Sequence, residues 1–356
     1  MAEQAWATWR SATERALYGD GGFYRRTEEA PGDHFRTSVH ASPLFARALL
    51  TLADDARLRT VVDIGAGRGE LLQALHRLDP SLHLIGVELA ARPAGLPAVI
   101  GWTSDLPPGF EALVVANEWL DNIPVDVVEM TADGPRVLEV DPAGAERPAG
   151  RPTGPDLAWL ERWWPLTDPG ARAEVGRPRD EQWAGVVRSL RRGVALAVDY
   201  AHSRDSRPSR GSLTGYRQGR RVTPAPDGSC DLTSHVALDA CASSGVQAGA
   251  SGTLLTTQRQ ALHAQRGDQV EIGAVQQFAN PFQREPQIAQ GQDLLQAQQI
   301  GFPVQPVTPG GVQRRAQQPD PVVVMQRPDR DPRQRGHLSD AVGAAHASPP
   351  GNEDKA

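Results

Sequence analysis

The chain has 356 residues and a mass of 38.3 kDa, which suffices for one large α/β domain with an appendage. Its formal net charge of −6, without a basic stripe interleaved with aromatic residues, argues against a nucleic-acid partner. No apolar run approaches the ~18 residues of a membrane span, and the first residues do not read as a signal peptide, so we expect a cytoplasmic protein without a membrane partner.

The first 58 residues are predicted to form a helical cap. Trp6 and Trp9 recur at roughly helical spacing. Ser42 and Pro43 supply the N-cap and the first residue of a second helix. Strand-like and helix-like segments then alternate over residues 61–200, which predicts a parallel sheet with helices on both faces. We therefore expect an α/β protein of Rossmann-like fold, with its main domain at residues 59–262.

A glycine turn follows the first strand of this alternating pattern. Residues 61–64 form a short strand, Gly65, Gly67 and Gly69 form the turn, and a helical pattern begins at Glu70. This layout brings the backbone close to a nucleotide and aims a helix N-terminus at it. Glu70 stands where the dinucleotide fingerprint G-x-G-x-x-G has its third glycine, so the spacing points away from a pyrophosphate.

Acidic residues around the turn favour S-adenosylmethionine, whose charged groups are an ammonium, a sulfonium and a carboxylate. Asp63 ends the strand before the turn, and Glu88 ends the next predicted strand, where a βαβ unit holds ribose hydroxyls. Asp105, past a third strand, could accept from an adenine amino group. The alternatives are that the glycine turn only ends a secondary-structure element, and that the acids are solvated charges at the ends of strands. The expected cofactor residues are Asp63, Gly65, Ala66, Gly67, Gly69, Glu88 and Asp105.

A later strand, residues 112–118, delivers polar side chains to the same edge of the sheet. Asn117 and Glu118 end it, and Asp121 follows. Ligands bind at the carboxyl ends of strands in open α/β sheets, so these three residues are the predicted catalytic group. Carboxylates could orient an acceptor nitrogen and stabilise its developing positive charge. The alternative is that Glu118 caps a helix and Asp121 pairs with a surface arginine.

The last third of the chain gives weaker signals. Asp231 and His235 are four residues apart and would share a face if this segment were helical, which is poor support for a general base. Cys230 and Cys241 are too few and wrongly spaced for a metal site, so we expect no metal. Residues 263–356 are rich in glutamine, proline and arginine and show little hydrophobic periodicity, which predicts a disordered tail. The near-absence of lysine suggests a GC-rich bacterial gene.

Six segments carry a family pattern, and the match runs through about Gln260. They are residues 17–24 (LYGDGGFY), 32–38 (GDHFRTS), 63–69 (DIGAGRG), 116–125 (ANEWLDNIPV), 198–200 (VDY) and 231–236 (DLTSHV). Together they resemble the MidA-like family of S-adenosylmethionine-dependent methyltransferases. The resemblance implies a Rossmann-like class I methyltransferase fold with S-adenosylmethionine as cofactor. Mitochondrial members methylate a protein arginine during respiratory complex I assembly, so it also implies a protein arginine as substrate.

The sequence as a whole predicts a methyltransferase that uses S-adenosyl-L-methionine and acts on a protein side chain. Two alternatives stay open. A non-catalytic, cofactor-binding assembly factor would share the glycine turn, and an NAD(P)-dependent oxidoreductase is disfavoured by the residue at position 70. The sequence makes no prediction of the oligomeric state.

Overall fold

The protein is a mixed α/β structure with many short strands around one large sheet. The computed structural model describes residues 6–25, 43–264 and 321–327, all of which belong to one compact unit. Within these ranges the strands are β1 (Ala7–Thr8), β2 (Thr60–Ile64), β3 (His83–Val87), β4 (Gly101–Thr103), β5 (Phe110–Asn117), β6 (Val127–Thr131), β7 (Gly134–Val140), β8 (Glu146–Pro148), β9 (Arg172–Glu174), β10 (Leu190–Val198), β11 (Ala201–His202), β12 (Thr214–Arg217), β13 (Arg220–Val222), β14 (Asp231–Thr233), β15 (Val236–Ala237), β16 (Gly252–Thr257) and β17 (Pro321–Arg327).

Helices connect and cover these strands. They are α1 (Trp9–Tyr18), α2 (Pro43–Asp55), α3 (Glu70–Leu78), α4 (Gly154–Trp163), α5 (Arg177–Ser189), α6 (Leu238–Gln247) and α7 (Gln258–Ala264), with 3₁₀ turns at Phe23–Arg25 and Arg204–Ser206. None of the helices in the described ranges combines the length and apolar character that crossing a membrane requires. The cytoplasmic location stays a prediction.

Seven strands form the central sheet, in the spatial order β16-β17-β10-β5-β2-β3-β4. The five strands from β10 to β4 are parallel, and β17 runs antiparallel to both of its neighbours. Numbered by chain order within the sheet, the strands read 3-2-1-4-5-7-6. The dinucleotide-binding fold has the order 3-2-1-4-5-6, so an antiparallel last strand inserted beside the fifth distinguishes this sheet. The predicted α/β class with a parallel core is confirmed.

Helices cover the central sheet on both faces, as its strand sequences require. β5 is buried over its whole centre, Ala112 to Ala116, which is typical of a parallel strand between two helical layers. On one face Leu49 of α2 and Leu72 of α3 belong to the same core. On the other face Trp183 of α5 packs in a second core, together with residues of α6. The two cores hold the strands rigidly, so the carboxyl ends of β2, β3, β5 and β10 form one fixed edge.

A second layer of small antiparallel sheets completes the described structure. One sheet has the order β1-β7-β6-β9 with β8 paired to β7, and another has the order β13-β12-β14. α1 shares a core with both: Trp9 and Leu17 of the helix pack with Val140 of β7 and Leu232 of β14. The predicted cap therefore contains helices with different partners, since α2 packs on the central sheet. The predicted domain boundaries stay predictions.

One strand lies inside the segment predicted to be a disordered tail. The backbone of β17 pairs Val322 with Val198 of β10 and Val323 with Leu255 of β16. These seven residues form a strand within that segment, and three consecutive valines, which are β-branched, favour this conformation. The rest of the predicted tail, residues 265–320 and 328–356, lies outside the described residues.

Candidate functional site

The glycine turn between β2 and α3 forms one end of the candidate site. Gly65, Gly67 and Gly69 have φ values of 69°, 57° and 76°, in the left-handed region that only glycine enters without strain. The N–H of Gly65 donates to the carbonyl of Val87 at 2.9 Å, which fixes the turn to the end of β3. The Ala66 side chain is buried in the core, so this residue offers only its backbone to a ligand.

The three glycines leave different amounts of room. A Cβ atom on Gly65 would lie 3.0 Å from the Trp119 ring, and one on Gly69 would lie 2.7 Å from Leu96. These two glycines let protein groups pack closely. A Cβ atom on Gly67 would meet only the carboxylate of Glu70, at 3.6 Å, so the middle of the turn faces open space. This is a cradle in which a ligand can approach the backbone.

Two of the predicted acids lie at this cradle. The Glu88 carboxylate accepts from the N–H of Gly67 at 3.0 Å and from the N–H of Ala90 at 3.1 Å. Asp63 is buried, and burial raises its pKa well above the ordinary value, with further increases from the charges of Glu70 and Glu88. Both of those charges are negative. The cradle is therefore electrostatically suited to a ligand that brings positive charge.

The remaining cofactor prediction, Asp105, lies farther along the same edge. It follows β4, where its own N–H and a carboxylate oxygen bond the neighbouring hydroxyls of Thr103 and Ser104. The N–H of Glu88 donates to the Thr103 carbonyl at 2.9 Å, so the ends of β3 and β4 are adjacent. The structure thus brings Asp63, the glycine turn and Glu88 together and places Asp105 on the flank. Its contacts there are local.

The predicted catalytic residues lie where β5 ends. Asn117 pairs in register with Val198 of β10. Glu118 has a φ of 51°, and its N–H donates to the Val198 carbonyl at 2.7 Å. A non-glycine residue in this region stores backbone strain, which concentrates at functional sites. Glu118 lies in a loop, and Asp121 is buried with the buried Arg179 as its nearby cation. The catalytic role of these residues stays a prediction.

Asp199, which ends β10, holds the loop after β5 in place. One of its carboxylate oxygens accepts from the N–H of Leu120 at 2.9 Å and from the N–H of Asp121 at 3.2 Å. Asp199 is fully buried, and burial raises its pKa well above the ordinary value, with the charge of Asp121 adding to the increase. The loop is therefore fixed by an acid at the end of the neighbouring strand.

Arg179 of α5 supplies a buried positive charge beneath the same loop. Its guanidinium donates five hydrogen bonds of 2.7–3.2 Å, all to neutral oxygens: the carbonyls of Asp121, Ile123, Ser234 and His235 and the hydroxyl of Ser234. The charges of Asp121 and Asp199 act on Arg179 without a direct bond between carboxylate and guanidinium among these five. Arg179 joins the loop after β5 to the segment between β14 and β15. Because its hydrogen bonds go to these neutral oxygens, the carboxylates of Asp121 and Asp199 can interact with other groups.

The ends of β5 and β10 and the loop after β5 hold several buried oxygens that accept no hydrogen bond. They are Asn117 Oδ1, Asp121 Oδ1, Asn122 Oδ1 and Asp199 Oδ1. An unpaired acceptor in a protein interior costs about 1–3 kcal/mol. Four unpaired oxygens at these two neighbouring strand ends favour a ligand rich in N–H donors at this place. Of the predicted catalytic residues, Asn117 and Asp121 contribute two of these oxygens, and Glu118 lies between them in sequence.

Comparison with known proteins identifies the family. Residues 44–256 match the family described as "Putative S-adenosyl-L-methionine-dependent methyltransferase". The chain belongs to this methyltransferase family. Its cofactor is S-adenosylmethionine, as predicted, and the expected resemblance and fold are confirmed. An oxidoreductase is thereby set aside. No similar sequence was found among curated proteins.

Two solved structures from Burkholderia thailandensis are similar to this methyltransferase. One is a COG1565 superfamily member bound to S-adenosylhomocysteine, with 29% identity, a TM-score of 0.62, and coverage of 73% of this chain and 77% of that chain. The other, a native structure of a protein from the same superfamily, has 31% identity, a TM-score of 0.61, and coverage of 73% and 76%. Both support the family assignment over the main domain.

Sequence reasoning missed several residues around the methyltransferase site. Asp199 could have been found, because it ends a buried strand of the sheet as Asp63 does. Arg179 gave no signal, since it is one of two arginines in the first turn of a helix that begins Arg177-Pro178-Arg179. The shared helical face expected for Asp231 and His235 is wrong: β14 and β15 occupy this segment, and four residues do not bring side chains together on a strand.

Proposed function

We propose that this methyltransferase transfers a methyl group to a guanidinium nitrogen of a protein arginine. The observation that carries the proposal is the set of four unpaired, buried oxygens at the ends of β5 and β10 and in the loop after β5. A guanidinium has five N–H donors, no acceptor and a permanent positive charge. It can satisfy such oxygens and balance the acids beside them. A neutral hydroxyl acceptor would supply one donor and no charge.

The cofactor residues have separate roles in this proposal. Glu88 accepts hydrogen bonds from the ribose hydroxyls, Asp63 binds the methionine ammonium, and Asp105 accepts a hydrogen bond from the adenine amino group. The backbone at Gly65, Gly67 and Gly69 lets the nucleoside approach. The open space at Gly67 and the excess of negative charge around Asp63 fit S-adenosylmethionine, which carries an ammonium and a sulfonium. When bound, S-adenosylmethionine supplies an electrophilic methyl group on a sulfonium.

The acceptor residues then position and deprotonate the nitrogen. The side-chain amide oxygen of Asn117 and the carboxylate of Glu118 hold the guanidinium beside the buried Asp121. A guanidinium nitrogen that gains a methyl group loses one N–H proton, so the site needs a base. Glu118 takes that proton, because it directly follows β5, which pairs with β2, the strand that leads into the glycine turn.

The proposal is tested by the chemical identity of the product. The full chain is incubated with S-adenosylmethionine carrying a radiolabelled methyl group and with bacterial extract protein, and the protein fraction is hydrolysed to amino acids. The expected result is label that comigrates with methylarginine. Label in methyl-lysine, or label lost to mild base as from a methyl ester, would overturn the arginine assignment. The bacterial source and cytoplasmic location remain part of the proposal.

Replacing Glu118 with glutamine is expected to lower kcat about 100-fold, because the amide cannot take the proton. Calorimetric affinity for S-adenosylmethionine should stay within about twofold of wild type, since Glu118 faces the acceptor. The matched control is Glu111→Gln at the opposite end of β5, where Glu111 forms ion pairs with Arg191 and Arg192. Equal kcat values for Glu118→Gln and the control would remove the catalytic role.

A further inference from the structure

We infer that Asp231 is a specificity-determining residue, which together with Asp121 binds the cationic acceptor between two carboxylates. This inference rests on the proposed function, because it names the part of the same site that recognises positive charge. Sequence motifs assigned Asp231 no role, and the structure places it on β14, in the second layer rather than in the central sheet. The acceptor site is then built from both layers.

Hydrogen bonds place the two carboxylates at one site. Thr233, two residues after Asp231 in β14, donates its hydroxyl to Asp121 Oδ2 at 2.7 Å. The other oxygen, Asp121 Oδ1, is buried and accepts no hydrogen bond. Asp231 Oδ1 accepts from the Tyr24 hydroxyl at 2.8 Å. Asp121 and Asp231 are only 6% and 5% exposed, so both carboxylates are largely removed from water.

Two tyrosines form the wall beside these acids. The Tyr18 hydroxyl donates to the carbonyl of Asn122 at 3.0 Å, and the rings of Tyr18 and Tyr24 stack with centroids 5.6 Å apart. Burial raises the pKa of both tyrosines, and the charge of Asp231 raises them further, so both stay neutral. Aromatic rings with neutral hydroxyls beside two carboxylates form a surface that favours a cation.

Among the residues that the structure describes, the buried acids Asp121, Asp199 and Asp231 outnumber the buried cations at this site. Arg179 is the buried cation nearby, and all five of its N–H groups are bound to carbonyl and hydroxyl oxygens. Its one charge faces Asp121 and Asp199, while Asp121 also acts on Asp231. A guanidinium would bring the second positive charge, together with donors for Asp121 Oδ1.

Without a ligand, protons compensate for part of this charge. Burial, and then the charge of Asp121, raise the pKa of Asp231 to about 7, although the bond from Tyr24 lowers it. Burial also raises the pKa of Asp121. Within the described ranges, the ionisable groups that interact with the pair are Tyr18, Tyr24, Cys230, Arg179 and Asp199. Cation binding must displace the proton, so acceptor affinity should weaken as the pH falls below about 7.

The test compares Asp231→Asn with Asp227→Asn. Asp227 is an exposed residue shortly before the same strand, and its side chain accepts a hydrogen bond from the Ser229 N–H. The probes are a short peptide with one arginine and its citrulline twin, which is neutral and of nearly the same shape. Steady-state KM for the arginine peptide should rise about 30-fold in Asp231→Asn, with kcat within about threefold. The inhibition constant of the citrulline peptide should change less than this KM does. The variant should therefore distinguish the arginine peptide from the citrulline peptide less well than wild type does.

The pH profile separates a recognition role from a structural one. In wild type, kcat/KM for the arginine peptide should fall about tenfold per pH unit below pH 7, and this acidic limb should disappear in Asp231→Asn. Tyr24→Phe should move the limb to higher pH, because the carboxylate loses a donor. An unchanged KM and limb in Asp231→Asn, or an unmoved limb in Tyr24→Phe, would overturn the inference. Calorimetry with S-adenosylmethionine checks that the variants are folded.

Failure of this inference differs from failure of the proposed function. If wild type forms no methylarginine, the proposed acceptor is wrong. If it forms methylarginine but Asp231→Asn behaves as Asp227→Asn does, the acceptor stands and Asp231 has no part in recognising it.

Discussion

Replacing Gly67 with valine is expected to weaken binding of S-adenosylmethionine roughly 1,000-fold, or about 4 kcal/mol. Gly67 has a φ of 57°, a conformation that a β-branched residue adopts only with strain. The valine methyl groups would also enter the open cradle that the ligand needs, and any shift of the turn would move the N–H that holds Glu88. Isothermal titration with the full chain measures the affinity.

Gly109→Val is the matched control for backbone strain. Gly109 has a similar φ of 75°, has open space around it, and precedes β5, at the edge of the sheet opposite the cradle. It should lose comparable folding stability and keep its affinity for S-adenosylmethionine. Equal affinity in Gly67→Val and wild type would mean that the ligand does not approach this turn.

Replacing Arg179 with methionine is expected to lower the free energy of unfolding by about 4 kcal/mol. The substitution keeps an apolar stem but leaves the carbonyls of Asp121, Ile123, Ser234 and His235 without their donor. It also removes the cation that balances the buried acids. Urea unfolding at neutral pH measures the loss. Arg188→Met, an exposed position on α5, is the control and should change stability by no more than about 0.5 kcal/mol.

The loss in Arg179→Met should depend on pH. Burial holds the pKa of Asp121 and of Asp199 above the ordinary value, while the Arg179 charge lowers both. Without Arg179 both pKa values rise further, so the folded variant binds more protons than its unfolded chain does. Its stability then falls as the pH rises from about 4, and the deficit relative to wild type should be larger near pH 8 than near pH 5. A deficit that shrinks with rising pH would contradict the electrostatic explanation.

The cofactor end of the site could be predicted from sequence because its determinants are local. Asp63, the glycine turn and the start of α3 lie within one short stretch, and a βαβ unit fixes where the next strand must end. That reasoning located Glu88 as well. Asn117 and Glu118 followed from the same rule, because the carboxyl ends of parallel strands meet at one edge of a sheet.

The acceptor end could not be predicted in the same way, because distant parts of the chain build it. Arg179 reaches the Asp121 carbonyl across 58 residues, Thr233 reaches the Asp121 carboxylate across 112, and Tyr24 reaches Asp231 across 207. None of these pairings leaves a periodic signal. β17 was missed for a related reason: its valines lie in a glutamine-rich region, and only pairing with two distant strands makes them part of the sheet.

The most direct test of the account is a crystal structure of the full chain bound to S-adenosylhomocysteine. The predicted result has the ribose hydroxyls on Glu88, the homocysteine ammonium beside Asp63, and the sulfur facing Asn117 and Glu118 at the end of β5. A ligand bound elsewhere, or a sulfur directed away from that loop, would contradict the account.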